Sequence, residues 1–234
     1  MTERRLLYEG KAKKVFLGDR EDELFVEFKD DATAFNGQKR GQIAEKGVVN
    51  ARISARLFTS LAAAGVANHF LEQVDDRTLK VRRLTMIPLE VVVRNRVAGS
   101  LQQRTGLAEG TILERPVVEL YYKNDALGDP LLNDDHVQAL RLAPPEVVER
   151  LKALGRRVNE VISAYFDARD LILVDFKLEF GWAQGELLLG DEISPDTCRL
   201  WDKASLTKMD KDRFRRDLGG VAEAYQEVLA RVLR

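Results

Sequence analysis

Hydrophobic positions along the chain alternate between a period of two and a period near 3.6. Lys14 to Leu17 and Leu24 to Phe28 flank "GDRED" and predict a hairpin of two short strands. In "EKGVVNARISARLFTSLAAAG", Val49, Ile53, Leu57 and Leu61 recur at helical spacing and Gly65 supplies the stop, which predicts a helix. Strand-like runs follow at Leu79–Leu84, Leu89–Val93 and Val117–Tyr122. The strongest helical pattern is "APPEVVERLKALGRRVNEVISAYFDARD". Pro145 suits its first turn, and Glu146 and Glu149 sit near its positive end. Val147, Leu151, Leu154, Val158, Val161, Ile162 and Tyr165 form one face. Leu171–Phe180 and Glu186–Leu189 predict a second hairpin across "GWAQG", and Asp210 to Arg234 reads as helical. Strands and helices cluster rather than alternate strictly, so the predicted class is α+β. A boundary is expected near residues 84–88, where "LTMIP" would link an N-terminal sheet (1–85) to a larger C-terminal part (86–234).

One strand breaks the pattern. "LILVDFKLEFG", Leu171 to Gly181, carries Asp175, Lys177 and Glu179 at every second position. Side chains alternate across a strand, so the three charges share one face, and Phe176, Leu178 and Phe180 take the other. A buried charged stripe costs several kcal/mol unless something pairs it. Asp191 and Glu192 follow the next predicted strand, so Asp175, Glu179 and Asp191 can converge around a cation, for which hard oxygen ligands favour magnesium. An ordinary surface ladder of ion pairs on an antiparallel sheet is the competing reading.

Composition narrows the field. A formal net charge of −1 over 234 residues argues against a nucleic-acid protein. The single cysteine, Cys198, excludes an internal disulfide framework and fits a reducing cytoplasm. "MTERRLLYEGKAKK" lacks an apolar core of signal-peptide length, and no uncharged run approaches the roughly 20 residues of a membrane span.

Cations complete the inventory. "YEGKAKKVF" places Gly10, Lys11, Lys13 and Lys14 at the entry to the first hairpin, either a phosphate cradle or a solvated lysine cluster. In "EVVVRNRVAGSL", Arg94 and Arg96 precede a turn at Gly99 and Ser100, a pattern that suits a phosphate monoester as well as an exposed strand end. Lys123 and Arg199 lie beside acidic residues. His69 and His136 have no partner at metal-ligand or triad spacing and read as structural, and Ser194 reads as a turn cap. Cys198, Trp182 and Trp201 read as packing residues. The chain therefore lacks a Ser/His/Asp set, a zinc cluster and a covalent nucleophile.

These blocks together resemble the SAICAR synthetase family of purine-pathway ligases. The resemblance runs nearly end to end, through "YEGKAKKVF", "KGVVNARIS", "VVVRNRVAGSL", "ELYYKNDALGDPLLND", "LILVDFKLEFG", "GDEISPDTCRLWD" and "MDKDRFRRDLGG". It implies the compact bacterial form: an N-terminal antiparallel-sheet lobe and a larger C-terminal α+β lobe, related to ATP-grasp and kinase-like folds, with ATP in the cleft. The implied reaction joins L-aspartate to 5-amino-1-(5-phospho-D-ribosyl)imidazole-4-carboxylate (CAIR), converts ATP to ADP and phosphate, and proceeds through an acyl phosphate. Phosphoryl transfer relies mainly on positioning and charge neutralisation, which fits lysines, arginines and magnesium without a nucleophile.

By the same resemblance, Lys11 and Lys13 would hold the ATP phosphates, with Lys123 opposite and Met86 beside adenine. Glu179 and Asp191 would hold Mg2+ at the phosphates, and Glu45 and Asp129 would join Asp191 around metal near the CAIR carboxylate. Arg94, Ser100 and Arg199 would grip the CAIR phosphate, with Arg215 helping, and Asp196 is a further substrate-site candidate. Asp175 and Lys177 would line the reaction centre. "TAFNG" has Asn36 where some relatives carry an acidic residue, so Asn36 receives no ligand role. A cytoplasmic homodimer without nucleic-acid or membrane partners is implied. Two other readings stay open: a small-molecule kinase, although "HRD" is absent, and a non-catalytic nucleotide-binding module.

Overall fold

The structure is a computed structural model that describes residues 4–34 and 37–234, so Asn36 lies outside the described residues. The N-terminal segment contains β1 (Leu6–Glu9), β2 (Lys13–Leu17), β3 (Glu23–Phe28), β4 (Asp31–Ala34), β5 (Lys39–Gln42), α1 (Lys46–Ala63), β6 (Phe70–Gln73) and β7 (Thr78–Arg82). The rest contains β8 (Thr85–Arg96), α2 (Ser100–Thr105), β9 (Ile112–Tyr122), β10 (Leu131–Leu132), α3 (Asp134–Ala139), α4 (Pro145–Asp167), β11 (Leu171–Ala183), β12 (Glu186–Gly190), β13 (Cys198–Asp202), α5 (Asp212–Arg215) and α6 (Val221–Val232). The α+β expectation is met.

Two antiparallel sheets dominate. The first runs in the order β1-β2-β3-β7-β6, and the hairpin predicted around "GDRED" is β2–β3. The second runs β10-β9-β8-β11-β12, with β13 also paired to β11. β4 and β5 form a separate two-stranded ribbon. The sheets meet at a seam where Asn68 bridges Leu189, and the His69 N–H donates to the Leu189 carbonyl at 2.9 Å. The chain passes from the first sheet to the second between Arg82 and Thr85, and Thr85 to Pro88 of "LTMIP" belong to β8.

Helix α1 ends as its sequence requires, with Gly65 in the left-handed region at φ +80° just beyond its last residues. It packs against both sheets' cores. Val49, Ile53, Leu57, Phe58 and Leu61 join the main core, and Ala51 and Ala55 face Phe28, Leu79 and Val81 under the first sheet. Helix α4 covers one face of the second sheet, but its fully buried stripe is Val148, Leu151, Gly155, Val158, Ile162 and Phe166. Val147, Leu154, Val161 and Tyr165 only flank that stripe, so the face is rotated from the one predicted. The expected C-terminal helix is broken into α5 and α6 by Asp217, Gly219 and Gly220, all at positive φ.

Strand β11 is central and explains the charged stripe. Phe176, Leu178 and Phe180 are buried in the core, as alternation demands. On one edge β11 pairs with β8 from Asp175 to Trp182; on the other, its first half pairs with β13 and its second half with β12. The segment from Asp191 to Thr197 leaves the sheet where β12 and β13 part, beside Lys177, whose N–H donates to the Thr197 carbonyl at 2.9 Å. Strand β13 was not foreseen, because "CRLWD" is too short to show a period.

Candidate active site

A cleft of about 940 Å³ lies along this charged face and reaches under the first sheet. One end is apolar: Val15, Leu24, Val26, Val81, Leu84 and Met86 line it. The middle is lined by Lys13, Lys123, Lys177, Glu90, Glu179, Asp191 and Glu192. Arg94, Asp175, Arg199, Arg215, Lys211 and Asp196 form the far end.

In the middle, each lysine is answered by carboxylates. Lys13 on β2 pairs with Asp191 and lies 2.9 Å from Glu192. Lys177 Nζ lies 2.7 Å from Glu90 and 2.9 Å from Glu179, which also pairs with Lys123. Strand register makes this arrangement, since Glu179 stands opposite Glu90 on β8 and Gly190 on β12, and Asp191 is the next residue. Burial alone would raise the Asp191 pKa, but Lys13, Lys177 and Lys123 outweigh it and hold this carboxyl below the usual range. Burial likewise opposes the charge on Lys177, and Glu179 and Glu90 reverse that and raise its pKa. For Glu90, burial prevails over Lys177 and raises the pKa.

At the far end, register sets Asp175 opposite Arg94 on β8 and Arg199 on β13. Asp175 accepts Arg94 Nη1 at 2.8 Å and Arg199 Nη1 at 2.9 Å. Arg94 also donates to Glu119 at 2.8 Å and to Ser100 and Tyr121 at 3.0 Å each. Gly99 turns the chain at φ +53° and ψ −128°, and a Cβ there would sit 2.5 Å from Arg199 Nη2. The stripe's first charge, which also lines the cleft, therefore holds two arginines. Beside it, Asp196 accepts from Lys46 at 3.0 Å, Lys211 at 3.4 Å and Tyr225 at 2.7 Å.

The expected metal ligands are only partly brought together. Among the described residues no group of three or more His, Cys, Asp or Glu side chains stands ready for a metal. Glu179 and Asp191 do flank one point of the cleft, and magnesium commonly takes just one or two protein carboxylates, so their donor chemistry fits it. Asp129 lines the cleft and accepts the Asn124 N–H at 2.8 Å. Glu45 is absent from the cleft lining: it caps α1 at φ +56°, and its carboxylate accepts from Gln226 on α6 at 2.9 Å. Lys11 lines the cleft and pairs with Asp125 at 3.0 Å. Ser100 reaches the site through Arg94.

Five functional neighbours escaped the sequence reading: Glu90, Glu119, Lys46, Asp212 and His69. Glu90 had a findable signal, a lone acid within an apolar strand. His69 lines the cleft at the seam, buried edge-on to Phe58, although spacing marked it as merely structural. His136 is structural as expected: its ring accepts from the Asn133 N–H and caps α3.

The SAICAR synthetase family's sequence model matches residues 6–232. The chain belongs to the SAICAR synthetase family. It is 57% identical to the phosphoribosylaminoimidazole-succinocarboxamide synthase of Desulfitobacterium hafniense (strain DSM 10664 / DCB-2), over 99% of this chain and 98% of that relative. The crystal structure of that synthase from Ehrlichia chaffeensis superposes with a TM-score of 0.95 at 42% identity, covering 97% of this chain and 98% of the other. A SAICAR synthetase (Type-2) in complex with ADP gives 0.93 at 47% identity, with 96% of each chain covered. The SAICAR synthetase fold thus accounts for both sheets and the cleft between them.

Proposed function

We infer that this chain ligates L-aspartate to CAIR, with ATP converted to ADP and phosphate, as a step of purine biosynthesis. The observation that carries this reading is a single cleft joining an apolar end, a lysine-carboxylate middle and a separate two-arginine end. That sequence of environments suits a nucleotide base, a polyphosphate and a second, phosphorylated substrate. Homologues carrying this activity in their names match across the whole chain, and one related structure holds ADP.

In this proposal, adenine lies against Val15, Val26, Val81 and Met86, and Lys11, Lys13 and Lys123 neutralise the phosphates. Glu179 and Asp191 would hold magnesium, which supplies charge neutralisation to the transferring phosphoryl group. Arg94, Arg199 and Ser100 grip the CAIR phosphate and set its carboxylate at the cleft's middle. Lys177, held by Glu90 and Glu179, points its ammonium at the charge that develops on the transferring group. A carboxylate is a poor acyl donor, and phosphorylation makes it a good one. The amine of L-aspartate then displaces phosphate and forms the amide. Asp129 and Asp196 line the remaining wall. A cytoplasmic homodimer, implied by the family, completes the proposal, and sedimentation of the purified chain tests its size.

The direct test is ADP release with magnesium, ATP, CAIR and L-aspartate, omitting one component at a time. ADP formed only with all present, together with a new ultraviolet-absorbing product, supports ligation. Release with CAIR but without L-aspartate points instead to a kinase or to an uncoupled acyl-phosphate step, and no release under any combination points to a binding module.

A further inference from the structure

The arginine end of the cleft is braced from behind. Asp212 on α5 is 2% exposed and is not among the residues that line the cleft. Its Oδ2 accepts Arg199 Nε at 2.9 Å and its Oδ1 accepts Arg215 Nη1 at 2.6 Å. One carboxylate thus spaces two guanidiniums carried by different elements, β13 and α5. The brace is fixed in turn: the Asp212 N–H donates to Asp210 Oδ1 at 2.7 Å, and Asp210 Oδ2 accepts the Leu200 N–H at 2.9 Å. Asp210 is fully buried, so α5 is pinned to β13 from inside the protein.

Both arginines keep donors in reserve. Arg199 uses Nε on Asp212 and Nη1 on Asp175, and its Nη2 has no protein partner among the described residues. Among the described residues Arg215 uses only Nη1. Both side chains line the cleft. A guanidinium tied at one edge has already lost its rotamer freedom, so its remaining N–H groups grip a phosphate without a further ordering cost.

We propose that Asp212 is a positioning residue that fixes the gap between Arg199 and Arg215 and so selects the phosphorylated imidazole carboxylate over its dephosphorylated nucleoside. The proposal rests on the reading that these arginines hold the substrate's phosphate. Asp212 acts only through them, because it has no surface in the cleft.

The test is Asp212→Asn, which keeps size but loses the charge and one of the two acceptors. The expected result is a rise of roughly tenfold or more in KM for CAIR, with the KM values for ATP and L-aspartate within about twofold. Discrimination in kcat/KM between CAIR and its nucleoside falls by a similar factor. Asp212→Glu, which keeps both acceptors, recovers part of it and carries the same test should the asparagine variant not fold. Equal rises in all three KM values, or a fall in kcat alone with discrimination intact, overturn the proposal. Arg199→Ala, measured alongside, separates the two levels. If it too leaves discrimination intact, the phosphate reading itself fails. If it abolishes discrimination and Asp212→Asn does not, only the role of Asp212 falls.

Discussion

Lys13 Nζ lies 2.9 Å from the Glu192 carboxylate, so a strand of the first sheet is tied by charge to the segment that leaves the second. The Glu192 side chain is 4% exposed and that of Lys13 is 16% exposed, and Asp191 shares the same ammonium. Removing Lys13 takes the shared cation from the buried Glu192 carboxylate and from the partly exposed Asp191 beside it. We expect Lys13→Met to lower stability by about 3 kcal/mol and to raise KM for ATP at least tenfold. Urea unfolding and steady-state kinetics check both, and unchanged values in both would remove Lys13 from the nucleotide site.

Gly99 controls the arginine end by having no side chain. Alanine there meets Arg199 Nη2 at 2.5 Å and must adopt φ +53°, a region that side chains avoid. Gly99→Ala is expected to cost about 1–3 kcal/mol of stability and to raise KM for CAIR far more than KM for ATP. Equal effects on both substrates would show that the turn serves folding alone.

His69 gives stability a pH dependence of its own. Burial lowers its pKa from 6.5 to about 4, and Lys13 adds to the shift while Asp191 opposes it. Between those values the unfolded chain binds a proton that the folded chain refuses. The stabilisation is therefore complete above pH 6.5 and is lost as pH falls through 4, a change of about 3 kcal/mol. His69→Phe, which keeps the ring against Phe58, should flatten that part of the curve. Urea midpoints measured from pH 4 to 7 on both proteins decide it, and parallel curves would count against the buried neutral imidazole.

Lys46 is fully buried in α1 and bonds Asp196 at 3.0 Å. In Lys46→Met, Asp196 keeps Tyr225 and the more distant Lys211 but loses its nearest cation. Stability should fall by about 3 kcal/mol. A loss below 1 kcal/mol would mean that Lys211 moves in to replace it.

Much of this was legible along the chain. The β2–β3 and β11–β12 hairpins and helices α1 and α4 follow from periodicity and punctuation, which are local properties. Alternation on β11 placed Asp175, Lys177 and Glu179 on one face, and the cleft indeed lies there. Which partner each charge takes was not legible. Asp175 meets Arg94 and Arg199 because β8 and β13 flank β11 in that register, and register depends on strands far apart in sequence. The partner that Glu45 takes was hidden for the same reason, since only tertiary packing brings Gln226 to its carboxylate.

The sequence by itself determined the elements, the face that would carry charge and the inventory of cations and carboxylates, because those depend on neighbours a few residues away. Tertiary structure decided the pairing: Lys13 with Asp191 and Glu192, Lys177 with Glu90, Arg199 with Asp175 and Asp212. Charge–charge energies depend on separation and burial, and both are set only when the two sheets close on one cleft.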